Sequence, residues 1–310
     1  MLDKFWGSVG GKLAERWLSL SLPALVFWFG GLIAYLVGHG GPAALSASLA
    51  NISRQSVVIQ GLLLLSALIL ISGSALLVTR LTDPALHVIE GYWPLWALHL
   101  WLRLRTRFGS DNTRRHQQWQ DLAHRIQSRD SSLTLEDHAL FLRLDRWQHR
   151  QPAQEHRLMP TRVGNILRTA ESLSYDKYGL ETIAVWPRLW LVLPEQARTE
   201  LLMARQSMTS AVGAMLWGLL FVFFFPLTIW AVPVGIAIAV LAVVGWLPAL
   251  AQTYGDLLEA TFDMHRTLLY QQLRWPLPTN PAQEPAGGAA LTAYLWRGSD
   301  ADQPAFLDPL

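Results

Sequence analysis

The chain has 310 residues, of which 51% are hydrophobic and only 15% are charged, and its formal net charge is +2. With a positive mean hydropathy, this composition leans away from a soluble enzyme. The chain contains no Cys, which excludes disulfides, thiolate zinc sites, iron–sulfur clusters and cysteine nucleophiles.

Residues Met1 to Arg16 read as a short interfacial helix, with Phe5 and Trp6 as headgroup-level anchors and Trp17 at the mouth of a first span. Three windows carry no Asp, Glu, Lys or Arg: Trp17 to Gly38, Gln55 to Thr79 and Gln206 to Gly255. A hydrocarbon core about 30 Å thick needs roughly 20 apolar helical residues, so the first two windows hold one span each and the third holds two. The first apolar run is longer than the core of a signal peptide, and the span is expected to stay in the mature protein. Small polar residues from Gly40 to Ser56 form the loop between spans one and two.

Past span two, Ala85 to Phe108 carries Trp93, Trp96 and Trp101 with Arg103, Arg105 and Arg107. Tryptophans followed by arginines suit either a segment at the membrane surface or a helix packed on a soluble domain, and Pro94 breaks or bends it. Alternation at Arg103-Leu104-Arg105 also admits a short strand. Ser110 to Gln151 holds 7 basic and 6 acidic residues. Trp119, Leu122 and Ile126, then Leu133, Leu140, Leu144 and Trp147, predict two amphipathic helices joined at Asp130-Ser131-Ser132. Ser132 or Thr134, with Glu136 and Asp137, starts the second helix. The near balance of charge points to a solvated helical face rather than nucleic-acid binding.

Pro160 opens a helix with Val163, Ile166, Leu167, Ala170 and Leu173 on one stripe. Tyr175 to Gly179 links it to Leu180–Leu193, where Trp186-Pro187 forces a bend. A long helix from Pro194-Glu195 is expected to run into span three, since nothing breaks it before Pro226. The stretch from Pro226 to Pro233 turns the chain back. Span four continues past Pro248 through Tyr254, Leu257, Leu258, Phe262, His265, Leu269 and Leu273, so that two helices extend from the membrane and pack on the inserted domain. The tail after Pro278 reads as mostly mobile, with an apolar island from Ala290 to Trp296 as a docking helix.

The expectation is therefore an all-α integral membrane protein: four transmembrane helices in two hairpins, with a mainly helical cytosolic domain inserted between spans two and three. Its parts are an interfacial helix 1–16, a first hairpin 17–79, the cytosolic domain 80–205 with its interfacial segment 85–108, a second hairpin 206–255, an extension of span four 256–278, and the tail 279–310. Lys4, Lys12 and Arg16 before span one, against Arg54 alone in the first loop and Arg80, Arg103, Arg105 and Arg107 after span two, place both termini in the cytosol.

Several strings taken together resemble a group of bacterial multi-pass membrane proteins with no assigned activity. They are Glu90-Gly91-Tyr92-Trp93-Pro94, the run from Pro160 to Glu171 (PTRVGNILRTAE), Tyr178-Gly179-Leu180 with Trp186-Pro187-Arg188-Leu189, and Tyr254-Gly255-Asp256-Leu257 with Phe262-Asp263-Met264-His265-Arg266. The resemblance spans residues 75 to 278 and implies the topology, a bacterial origin and hence an inner-membrane location, and one functional unit made of Pro160 to Arg188 and the helix after span four, with no catalytic residues to carry over.

No phosphate-binding glycine loop, nucleophile elbow, HExxH or EF-hand pattern is present, so no catalytic residue, metal or cofactor is expected and the protein reads as non-enzymatic. His116 and His124 are eight residues apart on an Arg-rich helix and make a poor metal pair. Arg162, Arg168 and Arg188 are expected to pair with carboxylates such as Glu171 and Asp263 and so fix the domain. An anionic ligand held by those arginines with Tyr175, Tyr178 and Trp186 is the sharper reading. Asn165 and Arg266 complete the candidates for ligand binding or interdomain coupling. The spans carry no ionisable residues, which argues against a transporter or proton pump. Phe221, Phe224 and Phe225, with Phe223 between them, are candidates for a pore constriction, and Gly30, Gly31, Gly73, Gly213 and Gly218 permit close helix contact. The expected partners are the lipid bilayer, further copies of the chain, and a cytosolic protein or anionic ligand, through which the soluble domain acts on the spans. A non-conducting scaffold that recruits partners through Ser110–Gln151 is the alternative.

Overall fold

The computed structural model describes residues 21–39, 41–128, 133–148, 151, 152, 154, 157–298 and 304–307. In chain order its helices are α1 (Ser21–Gly38), α2 (Pro42–Ser53), α3 (Val57–Glu90), α4 (Leu95–Gln127), α5 (Leu135–Gln148), α6 (Arg162–Tyr178), α7 (Thr182–Val192), α8 (Glu195–Phe221), α9 (Ala231–Val240), α10 (Leu247–Gln272) and α11 (Glu284–Arg297). No strand occurs among the described residues. Four helical stretches, Ser21–Gly38, Val57–Ala97, Glu195–Phe224 and Ala231–Gln272, are long and apolar enough to cross a membrane. Helices suit that setting because they satisfy every backbone polar group internally. Trp6 and Trp17 lie outside the described residues.

The chain forms two compact units, residues 1–86 with 208–247 and residues 87–207 with 248–310. In the first, apolar side chains point outward: Leu62, Leu64, Leu65 and Ile69 of α3 are all about half exposed or more. Its interior is aromatic. Phe27 stacks within 4.9 Å of Trp217 and 5.0 Å of Phe224, and Phe221 lies 5.4 Å from Phe224. Gly30 and Gly31 leave the room that the Phe221 and Phe224 rings fill. Gly218 and Gly235 face each other so closely that a methyl on either would press on the opposite backbone, whereas a methyl on Gly73 or Gly213 would meet nothing within 4 Å. Trp28 Nε1 donates to Ser74 Oγ at 3.1 Å, pairing two polar groups that an apolar medium would otherwise strand.

The segment Leu241–Trp246 is a π-helix, closed by the Leu247 N–H bonding the Ala242 carbonyl. Pro248 follows directly. Its missing N–H and its ring are incompatible with a regular turn onto residue 244, and a widened turn absorbs that conflict while the helix continues.

The second unit has an apolar core. Leu180, Val185 and Leu189 meet Phe262, Leu269, Tyr270 and Leu291, all at 1% exposure or less. The stripe on α6 is buried at Val163, Ile166, Leu167 and Ala170. Within the tail, α11 docks on α6 and α7, with Gly288 against the Tyr178 carbonyl and Leu291 fully buried. Helix α4 runs unbroken through Arg103-Leu104-Arg105 and Gly109, so that segment is helix and not strand. Trp96 of α4 is exposed, Trp93 Nε1 donates to the Val88 carbonyl at 2.7 Å, and Trp101 lies within α4. Helices α4 and α5 join through Trp119 Nε1 to Asp145 Oδ1 at 3.1 Å and His116 Nδ1 to Gln148 Oε1 at 3.1 Å. At the start of α5, Thr134 and Asp137 cap each other reciprocally, as their spacing predicts. The expected joint at Asp130-Ser131-Ser132 lies outside the described residues.

Candidate functional site

The second unit contains a cleft of about 560 Å³, built where the end of α3 meets α6, α7 and the inner faces of α8 and α10. The Glu90-Gly91-Tyr92-Trp93-Pro94 string terminates α3. Gly91 adopts φ 100°, and the Tyr92 N–H reaches back to the His87 carbonyl at 3.1 Å while the Gly91 N–H takes Val88. That closure is a Schellman turn, which demands a left-handed residue at this point. Pro94 then fixes the entry to α4.

The Pro160–Glu171 string builds the opposite wall. Thr161 caps α6, its Oγ1 accepting from the Gly164 N–H at 2.9 Å. Asn165 Oδ1 accepts from the Met159 N–H at 2.7 Å and holds the preceding loop. Gly164 lies against the Glu90 carbonyl oxygen, where any Cβ would overlap it. One turn further, Arg168 and Glu171 point into the cleft and pair at 3.4 Å. Thr182 of α7 donates to the Glu171 carbonyl at 2.5 Å and shares a 2.6 Å hydrogen bond with Ser174, which locks the α6–α7 corner.

The remaining walls are Trp186 from α7, Arg205 from α8 and Tyr254 from α10. Arg205 donates to Glu90 Oε1 at 3.0 Å and lies 5.9 Å from the Tyr254 ring centre. Glu90 is 7% exposed, so this ion pair is nearly desolvated on its acidic side, and removing Arg205 leaves a buried carboxylate. Burial pushes the Glu171 carboxyl above its ordinary range; Arg168 beside it pulls the other way, and the Glu90 charge adds to the rise. The cleft thus offers two carboxylates, two guanidiniums and several aromatic faces, a set suited to binding a charged, partly apolar molecule.

Of the residues singled out in the sequence, Arg168, Glu171 and Trp186 come together here, and Asn165 supports them from the α6 start. Others form a separate tie among α6, α10 and α11. Tyr178 donates to Asp263 Oδ1 at 2.6 Å, Lys177 bridges Glu259 at 2.5 Å and Asp263 at 3.3 Å, and Arg266 bonds Glu284 at 2.6 Å while its guanidinium lies 4.1 Å from the Tyr178 ring centre. Burial and the Asp263 carboxylate raise the Tyr178 phenol above its usual range. Arg188 spends its N–H groups on the Ala184 and Leu295 carbonyls. Tyr175 is exposed and stacks with Arg157, and Arg162 is exposed on the first turn of α6. Phe221 and Phe224 belong to the aromatic interior of the first unit, and Phe225 is exposed.

Sequence reasoning passed over His87, Glu90, Arg205 and Tyr254 as site residues. A signal was present: Arg205 is the last charge before the 50 uncharged residues that follow, and Tyr254 is the penultimate residue of that window. Among the described residues no three His, Asp or Glu side chains converge as metal ligands. No family model, no curated protein and no solved structure matches the chain.

Proposed function

We propose that the chain is a non-enzymatic multi-pass protein of a bacterial inner membrane that works as a homo-oligomer, in which ligand binding in the cleft biases the membrane spans and opens a pore. In this reading α1 with α3 and α8 with α9–α10 form two hairpins, the inserted helical domain and both termini are cytosolic, and Phe225 is the lining candidate left outside the aromatic cluster. The carrying observation is that three apolar helices each contribute to the cleft wall: His87 and Glu90 from α3, Arg205 from α8, and Tyr254 and Leu258 from α10. A ligand that separates Glu90 from Arg205 therefore acts on two of those helices at once, which is the differential contact that any two-state switch requires.

Planar-bilayer conductance of the purified chain, with and without cytosolic anionic ligands, tests this. Ligand-dependent currents that are lost in Arg205→Gln support it, while silence in both conditions together with a monomer by size measurement overturns it.

A second reading, a non-conducting scaffold, draws on α5, where Leu135 is 89% exposed and Leu140 and Leu142 also face outward. A pulldown of soluble partners that depends on α4 and α5, with no conductance, favours that reading.

A further inference from the structure

The cleft does not end at its charged groups. A second hollow of about 440 Å³ shares the side chains of Trp186, Arg205 and Tyr254 with it and is otherwise walled by apolar groups, chiefly Pro187, Trp190 and Leu202. One wall of three residues therefore separates a compartment holding Glu90, Arg168 and Glu171 from a groove of tryptophan, proline and leucine. Leu202 and Pro187 are exposed at the groove edge.

We infer that the two compartments together hold one membrane lipid whose headgroup carries both a phosphate and an amine, with the head in the charged cleft and an acyl chain along the groove.

Three features support this. First, the polar compartment is charge-balanced. A phosphate between Arg168 and Arg205 competes with the carboxylates that the two guanidiniums now pair with, and an ammonium beside Glu171 replaces the partner that this half-buried carboxylate would lose. A purely anionic head leaves the carboxylates opposed, and a purely cationic one leaves the arginines opposed. Second, the wall between compartments is amphipathic: Trp186 and Tyr254 give a chain or a choline-like cation an aromatic face, and Arg205 stands at the junction where a phosphodiester joins head to tail. Third, Arg205 immediately precedes the 50-residue uncharged window and Tyr254 lies one residue from its end, so in a chain that crosses a bilayer both sit at headgroup depth, where lipid is the abundant amphiphile. The inference rests on reading the cleft as a ligand site and narrows the ligand class.

The test uses the full chain in detergent and needs no conductance, so a chain that never conducts still reports on the lipid. Native mass spectrometry after delipidation and re-addition compares phosphatidylethanolamine, phosphatidylglycerol and head-only phosphoethanolamine. Phosphatidylethanolamine should be retained one to one and about tenfold better than phosphatidylglycerol, the scale of one charge-assisted hydrogen bond. Glu171→Gln should erase that preference while phosphatidylglycerol retention stays unchanged. Leu202→Glu, at an exposed position that leaves the core intact, should weaken whole-lipid retention. Equal retention of the two lipids by the unaltered chain overturns the proposal in favour of nonspecific annular lipid. Tight binding of phosphoethanolamine alone, unaffected by Leu202→Glu, overturns it in favour of a soluble ligand with an ammonium and a phosphate.

Discussion

The two units use apolar side chains in opposite ways. In the first, large residues face outward: Leu64 is 69% exposed, Ile69 62% and Phe223 78%. In the second, Leu180, Val185 and Leu189 are completely buried and Phe262 is 1% exposed. The second unit removes its apolar surface from water by packing, while the outward apolar faces of the first lie on helices long and apolar enough to cross a membrane. Exposure by itself therefore says little about energetics until the surrounding medium is specified.

A pair of truncations should separate the two units most strongly. Phe262→Ala leaves a cavity among α7, α10 and α11 and should cost the second unit about 3–5 kcal/mol, read as lost amide-exchange protection in α7. Phe223→Ala, on an exposed ring, should change stability by about 0.5 kcal/mol or less. Equal losses would show that burial does not separate the two regions. A second pair varies the medium instead. Leu64→Lys should cost about 2.5–3.5 kcal/mol in a membrane-insertion assay, while Leu135→Lys, at 89% exposure, should stay within about 0.5 kcal/mol as expected for a water-facing site. If both are silent, α3 does not lie in lipid.

Gly164 makes the second unit sensitive to added volume at the site itself. Gly164→Val adds a branched side chain where even a Cβ overlaps the Glu90 carbonyl, and it should cost about 1–3 kcal/mol as overpacking. The first turn of α6 should lose protection while the aromatic interior of the first unit keeps its fluorescence. A uniform loss across both units would instead mean that they unfold together.

How much of this was legible in the sequence follows the range of each interaction. The apolar windows, the long α8, the α6 stripe and the Thr134–Asp137 cap are local patterns set by helical periodicity, and each could be read directly. Helix α4 was harder, because alternating Arg and Leu over three residues fits either period and only the surrounding turns decide. The tail looked mobile from its Pro, Ala and Gly content, yet Gly288 is what lets α11 lie against Tyr178. The cleft was half visible: Arg168, Glu171 and Trp186 share a short stretch of chain, while the partner of Glu90 is 115 residues away at Arg205. A pairing at that separation leaves no periodic trace and depends on how the units fold.

The smallest effect belongs to Glu171, and its sign separates two accounts of the cleft. Burial holds the folded-state carboxyl above its ordinary value, which is about 4.3 in an unfolded chain. As pH rises through the interval between those two values, the folded chain keeps more of the proton than the unfolded one, so stability falls and stays lower above it. Glu171→Gln removes the ionisation, so the variant should melt slightly higher than its parent at pH 7, and the difference should vanish below about pH 4, where both side chains are neutral. If pairing with Arg168 outweighed burial, the parent would be the more stable at pH 7. Added phosphatidylethanolamine gives the same contrast from the other side: an ammonium beside the carboxylate repays its burial, and the advantage of the variant at pH 7 should shrink or reverse.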